Sequence, residues 1–200
     1  QDYLIEQGSF HRIDYHQATK TLSYAVHKQG SNLIKLTVDT LPVTIETLIN
    51  STRSDNKPRI SPDGEQIAFI STRSGNDQLW LTSKNGENLQ QVTQLSPSAI
   101  REHSWSPSGN KILLDIQQNQ TSLFYILDIN THVLTQVSTD ATIISDMRWS
   151  AQTDWLIASC LLNKQWQICR IANATANIQS ITSSGGISPY SPVNSDYVYF

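Results

Sequence analysis

The sequence predicts an all-β protein, a β-propeller of about four to five four-stranded antiparallel blades, and three observations carry that expectation. First, a strand–turn–strand phrase recurs with its mark at His16, Ser61, Ser106, Ser150 and Ser191, at spacings of 45, 45, 44 and 41 residues. A period this long, carrying four short strands, is what propeller blades show. Second, large apolar side chains keep a fixed phase about the mark. Tyr15, Ile60, Trp105, Trp149 and Tyr190 stand just before it, and Leu22, Ile67, Ile112, Leu156 and Tyr197 stand six residues after it. Two such columns supply the faces that stacked sheets bury on one another. Third, no segment carries a helical period.

The repeats follow in order. Within residues 1–8, Tyr3-Leu4-Ile5 reads as the outer strand of a preceding blade. Residues 9–52 form a degenerate first repeat in which His16-Gln17-Ala18-Thr19 replaces the turn signal, while apolar alternation survives at 21–26, 32–36 and 45–49. Residues 53–96 are the clearest copy. There Ser61-Pro62-Asp63-Gly64 has type I turn chemistry, with Pro presetting φ and Gly closing the turn. Gly-containing reversals at 73–77 and 84–86 then separate a third run from a fourth at 89–93. Residues 97–140 and 141–184 repeat the plan, and in 185–200 Ser191-Pro192 opens a copy that is cut off at Tyr197-Val198-Tyr199-Phe200. Four and a half blades lie at the low end of the closed range of about four to eight. The whole chain, 1–200, is therefore expected to be a single partial propeller domain, a piece of a larger propeller.

Net charge is −3 with 16% charged residues, and Lys and Arg are scattered, so the basic footprint of a nucleic-acid binder is missing. No apolar run approaches the about 20 residues of a membrane span, and no signal peptide is visible. Any anchor is expected outside this sequence.

The motifs of chemistry are absent from the sequence: there is no Gly-x-Ser-x-Gly elbow, His-Glu-x-x-His, phosphate-cradling glycine loop or metal-spaced Cys/His cluster. No enzyme activity and no cofactor are expected. The histidines His11, His16, His27, His103 and His132 are dispersed and read as structural or solvated. Asp63 reads as a turn former, Arg73 as a hairpin arginine bonding carbonyls of the neighbouring blade, and Trp80, Trp105, Trp149, Trp155 and Trp166 as core. Cys160 and Cys169 fall on the second and third strands of one blade. Two readings stay open for them: a disulfide across that hairpin, suited to an oxidising compartment, or two buried thiols. If the propeller binds something, loops entering the innermost strands at 53–59, 98–103, 142–148 and 185–189 form one rim of the channel. Arg101, Glu102, His103, Asp146 and Arg148 put mixed charge on that rim, which suits a protein or peptide partner; an ordinary solvated surface is the alternative.

The phrase Ser61-Pro62-Asp63-Gly64-x-x-Ile67-Ala68-Phe69-x-Ser71-x-Arg73-x-Gly75, with Leu79-Trp80 and a closing Val92-Thr93, resembles the β-propeller repeat of TolB-like proteins. The resemblance covers roughly residues 9–200 and is weakest in the first repeat. The same repeat type occurs in N-terminal propellers of prolyl-oligopeptidase-like peptidases and in C-terminal regions of CadC-like membrane-bound winged-helix regulators. Residues 165–171, then Ile181-Thr182, Gly185-Gly186 and Ser191-Pro192, resemble the last blades of those regulators. That resemblance implies a non-enzymatic sensing or protein-interaction domain of a transcriptional regulator, on the periplasmic side of a bacterial inner membrane. The winged helix and membrane tether would lie outside the fragment, and this domain would make no direct nucleic-acid contact. The alternatives are a TolB-like periplasmic scaffold, or the propeller of a serine peptidase whose Ser, Asp and His lie in a separate domain.

Overall fold

A computed structural model describes residues 9–17, 20–27, 31–37, 44–96, 99–119, 121–137, 143–151, 153–172, 178–192 and 197–200. Among them, four sheets each take their strands in sequence order. The first sheet holds β1 (Ser9–His16), β2 (Thr21–His27), β3 (Ser31–Thr37) and β4 (Thr44–Ile49). The second holds β5 (Asp55–Ile60), β6 (Gln66–Ser71), β7 (Gln78–Ser83) and β8 (Gln90–Gln91). The third holds β9 (Ala99–Trp105), β10 (Lys111–Gln118), β11 (Thr121–Asp128) and β12 (Leu134–Gln136). The fourth holds β13 (Ile143–Trp149), β14 (Leu156–Leu162), β15 (Gln165–Ile171) and β16 (Gln179–Ser180). Each sheet is an antiparallel meander with no crossover, the plan of a propeller blade. Tyr190 and Tyr199 exchange two backbone hydrogen bonds of 2.8 Å, the start of a further strand pair. The strand expected at Tyr3-Leu4-Ile5 lies outside the described residues.

The recurrent serine makes the first hairpin of the blades. The N–H of Ser61 donates to the Gln66 carbonyl at 2.8 Å, and that of Gly64 to the Ser61 carbonyl at 2.9 Å. Ser106 repeats both bonds with Lys111 and Gly109, and Ser150 keeps the first with Trp155. Gly64 and Gly109 have φ of +76° and +74°, in the left-handed region where a Cβ is costly. The serine hydroxyl also accepts from the strand that follows, from Gln66 N–H at 2.9 Å and Lys111 N–H at 3.2 Å.

The fourth strands are shorter than the apolar runs suggested, two or three residues in β8, β12 and β16. An edge strand kept short offers little unpaired backbone to other chains. In two blades a side chain extends the pairing instead. Thr93 Oγ1 accepts from Leu79 N–H at 2.8 Å and donates to Gln78 Oε1 at 2.8 Å. Thr182, Ile168 and Gln167 repeat the arrangement at 2.9 and 2.7 Å.

By contacts the chain divides into two compact units, Gln1–Ile100 and Arg101–Phe200. In the first, Leu33, Leu48 and Ile49 of one sheet pack against Ile67 and Phe69 of the next, with Ile60 and Trp80 at the margin. Gly86, at φ +81°, lets the β7–β8 turn come so close that a Cβ there would overlap the Leu48 carbonyl. In the second unit, Leu113, Phe124 and Ile126 face Met147, Trp149, Leu156 and Ala158. Side chains of this size contribute about 1.5–3 kcal/mol each when fully buried, so sheet-to-sheet burial is what holds each unit.

Candidate functional site

The stretches expected as rim loops are strands. Residues 55–60, 99–105 and 143–149 are β5, β9 and β13, the first strand of each sheet. In β5 and β13 the expectation went wrong because the strands are bulged, which blurs period-2 alternation. Register slips between His11 and Ile13 in β1, between Asn56 and Arg59 in β5, and between Ser145 and Arg148 in β13. Lys57 and Asp146 take φ of +50° and +51° inside their bulges. A bulge of this kind re-aims a side chain away from the regular pleat.

In the second unit the five rim residues fall on β9 and β13 but do not share one environment. Arg101, Asp146 and Arg148 are exposed and Glu102 is half-buried. His103 is 1% exposed, so it is not offered to a partner on a rim. Strand alternation explains this: His103 points to the same side as the core residue Trp105, and Glu102 to the other. Asp146 accepts from the Ser188 hydroxyl at 3.2 Å, Arg101 donates to the Ser122 hydroxyl at 3.4 Å, and Glu102 accepts from His103 N–H at 3.2 Å. A cavity of about 160 Å³ opens among Glu102, His103, Asp115, Asp146 and Arg148, walled by Phe124. It has room for one side-chain head of a bound peptide.

Arg73 does not bond the neighbouring blade's carbonyls. It closes its own blade. Its Nη2 lies 2.8 and 2.9 Å from the two carboxylate oxygens of Asp55, and its Nε donates to the Ser71 hydroxyl at 2.9 Å. The guanidinium also sits 5.5 Å from the Phe69 ring centre and 4.9 Å from that of Trp80. Asp55 is fully buried; Asp and Arg 18 residues apart on different strands give no sequence signal of their pairing. Asp63 is the turn former expected: the Ser61 hydroxyl and Glu65 N–H hold its carboxyl below the ordinary aspartate value.

Cys160 and Cys169 are free thiols and both are buried. The strand register fixes how the two stand to each other. Cys160 stands opposite Gln167 and Cys169 opposite Ala158, so the pair is diagonal. Diagonal neighbours lie about 7–8 Å apart, wider than a disulfide spans without backbone movement. Burial pushes both thiols up from their ordinary value. Trp105 and Trp149 are core, 9% and 8% exposed, whereas Trp80, Trp155 and Trp166 are half-buried. His16 hydrogen-bonds with the Pro62 carbonyl at 3.2 Å and His132 is exposed, while the side chains of His11 and His27 lie outside the described residues. Among the described residues no group of His, Cys, Asp and Glu is placed to hold a metal ion, and no helix is long and apolar enough to cross a membrane.

Four meanders, bulged first strands and a recurrent Ser-Pro turn define a β-propeller, and comparison with known proteins narrows the type. No family model matches the chain. Over 60 residues it is 40% identical to YuxL of Bacillus subtilis, described as an uncharacterized peptidase, and over 67 residues 34% identical to the Tol-Pal system protein TolB of Bordetella avium. Those stretches are 30% and 34% of this chain but only 9% and 15% of the relatives' lengths. Among solved structures, the putative TolB of Agrobacterium tumefaciens matches with a TM-score of 0.69 at 22% identity, covering 93% of this chain and 67% of that one. The fold is a TolB-like β-propeller.

Proposed function

We propose that this propeller region recognises a protein or peptide through the first-strand side of its blades and performs no chemistry itself. The observation that carries this reading is the mixed-charge surface of β9 and β13. Asp146 and Arg148 stand exposed at the wall of a cavity of about 160 Å³, Arg101 is exposed on β9, and a bulge sets Asp146 out of the pleat. Charges of both signs around a narrow cavity select a partner by register and sign, and contribute to specificity more than to bulk affinity.

In the parent protein we read it as the extracytoplasmic sensing part of a membrane-bound transcription regulator, held by a tether outside these residues and making no nucleic-acid contact. The likeness to TolB in sequence and fold supports a second reading, a periplasmic scaffold. The YuxL likeness supports a third, the propeller of a peptidase whose catalytic residues lie elsewhere. The flanking reading frame separates them: a basic winged helix and an apolar span, a cleavable leader, or a Gly-x-Ser-x-Gly segment.

Selection of a random peptide display library on the immobilised chain, against the Asp146→Arg/Arg148→Glu variant, tests the recognition reading. Peptides enriched on the wild type should carry both a basic and an acidic residue and lose at least tenfold in affinity for the variant. Enrichment that is equal on both proteins, or none above background, overturns it.

A further inference from the structure

One position of the third strands is filled in two ways. On the second and third strands the equivalent pairs are Ser23 opposite Lys35, Ala68 opposite Leu81, Leu113 opposite Ile126, and Ile157 opposite Arg170. Leu81 and Ile126 are 6% and 9% exposed, so in two sheets this place holds a buried aliphatic side chain. In the first sheet Lys35 takes it and pairs with Glu46 at 3.5 Å. In the fourth sheet a guanidinium occupies it. A half-buried cation that lacks the carboxylate its counterpart has, at a cost in desolvation, points to a use.

Arg170 is half-buried, and its guanidinium lies over the Trp155 ring. Its Nε is shielded from solvent and makes no hydrogen bond, and among the described residues no carboxylate pairs with it. Both residues border a cavity of about 290 Å³ inside the second unit. Ser150 and Thr153 share its wall, and Ile157, Ile181 and Val198 supply its apolar side. Among the described residues Arg170 is the charged side chain that lines it, beside this apolar wall.

We propose that this cavity binds a monocarboxylate bearing a small apolar body, the chemistry shared by a free apolar acid and the C-terminal residue of a peptide. The planar fork of Arg170 pairs a carboxylate through two parallel N–H···O bonds. Trp155 holds the plane of that fork, Ser150 and Thr153 donate to the remaining lone pairs, and the aliphatic wall covers the ligand's body. The site is separate from the rim on β9 and β13 and does not depend on that reading.

Calorimetric titration of the full chain with N-acetyl-leucine, its neutral amide, and a pentapeptide ending in leucine, free or amidated, tests the proposal. N-acetyl-leucine should bind saturably and at least tenfold tighter than its amide. Arg170→Leu, which copies the aliphatic residue type of the second and third sheets, should abolish binding while melting no lower than the wild type. A free pentapeptide that binds more than tenfold tighter than N-acetyl-leucine identifies a chain terminus as the source; equal affinities identify a free acid. The proposal is overturned if acid and amide bind alike, if neither acid binds, or if Arg170→Leu binds as the wild type does.

Discussion

Two arginines, each stacked on a tryptophan of its own blade, behave as opposites. Arg73 lies over Trp80 with both oxygens of the buried Asp55 on its Nη2 and the Ser71 hydroxyl on its Nε. Arg170 lies over Trp155 with an Nε that bonds nothing. A cation whose donors are all answered within its blade is architecture, because removing it strands a buried carboxylate. A cation without such answers, at a place two other sheets fill with an aliphatic side chain, costs the fold something, and its side chain borders a cavity. The stacking is common to both; the partner of the charge decides the role.

The largest expected effect separates them directly. Arg73→Met leaves the fully buried Asp55 carboxylate without its partner, and breaking such a pair costs about 3–5 kcal/mol. Arg170→Leu should leave the unfolding free energy unchanged or raise it. Urea unfolding of both variants reads the difference, and equal losses would dissolve the distinction. Adding Asp55→Asn to Arg73→Met should return part of the loss, since the stranded charge is what costs most.

The tryptophans sharpen the same contrast. Trp149 is buried in the second unit's core and its Nε1 donates to the Ser104 carbonyl at 3.0 Å; Trp149→Ala should cost about 3–5 kcal/mol. Trp155 is half-buried and mainly supports Arg170, so Trp155→Ala should cost less. Stacking of a cation on a ring contributes about 0.5–2 kcal/mol, and thermal melts that ranked the two variants the other way round would place Trp155 in the core.

How much of this was legible before the structure follows from what each feature depends on. The blade period was readable because Ser-Pro turns and the apolar columns are local and repeat. Asp63 was readable as a turn former because its bonds span two residues. The Asp55–Arg73 pair was not readable, since nothing in the sequence marks two residues 18 apart as the only partners for each other's charge. The inner strands hid as loops because each bulge shifts the alternation by one residue, so the pattern on either side cancels. His103 lies inside because it alternates in phase with the core residue Trp105. Arg170 was visible as a letter, but its oddity appears only when the strand register aligns it with Leu81, Ile126 and the carboxylate-paired Lys35.

The smallest effect tests charge satisfaction at its mildest, in the turns. The second blade has Asp63 where the third has Ser108 in an otherwise equivalent turn. The Ser61 hydroxyl first, and Glu65 N–H second, hold the Asp63 carboxyl below its ordinary value of 3.8. A carboxyl depressed in the folded state binds fewer protons than in the unfolded chain, so it stabilises the fold above the unfolded value and loses that contribution as pH falls. Asp63→Ser copies the third blade and removes the titrating group. The melting temperature of the wild type should therefore exceed that of the variant by a small, constant amount near neutral pH, and the two should converge as pH drops below 3.8. Asp63 is exposed, so added salt should shrink the gap only where it weakens the charge–dipole share of these bonds. A gap that widened in acid would mean the carboxyl is held for its protonated form, and the turn would then need another account than the one Ser61 provides.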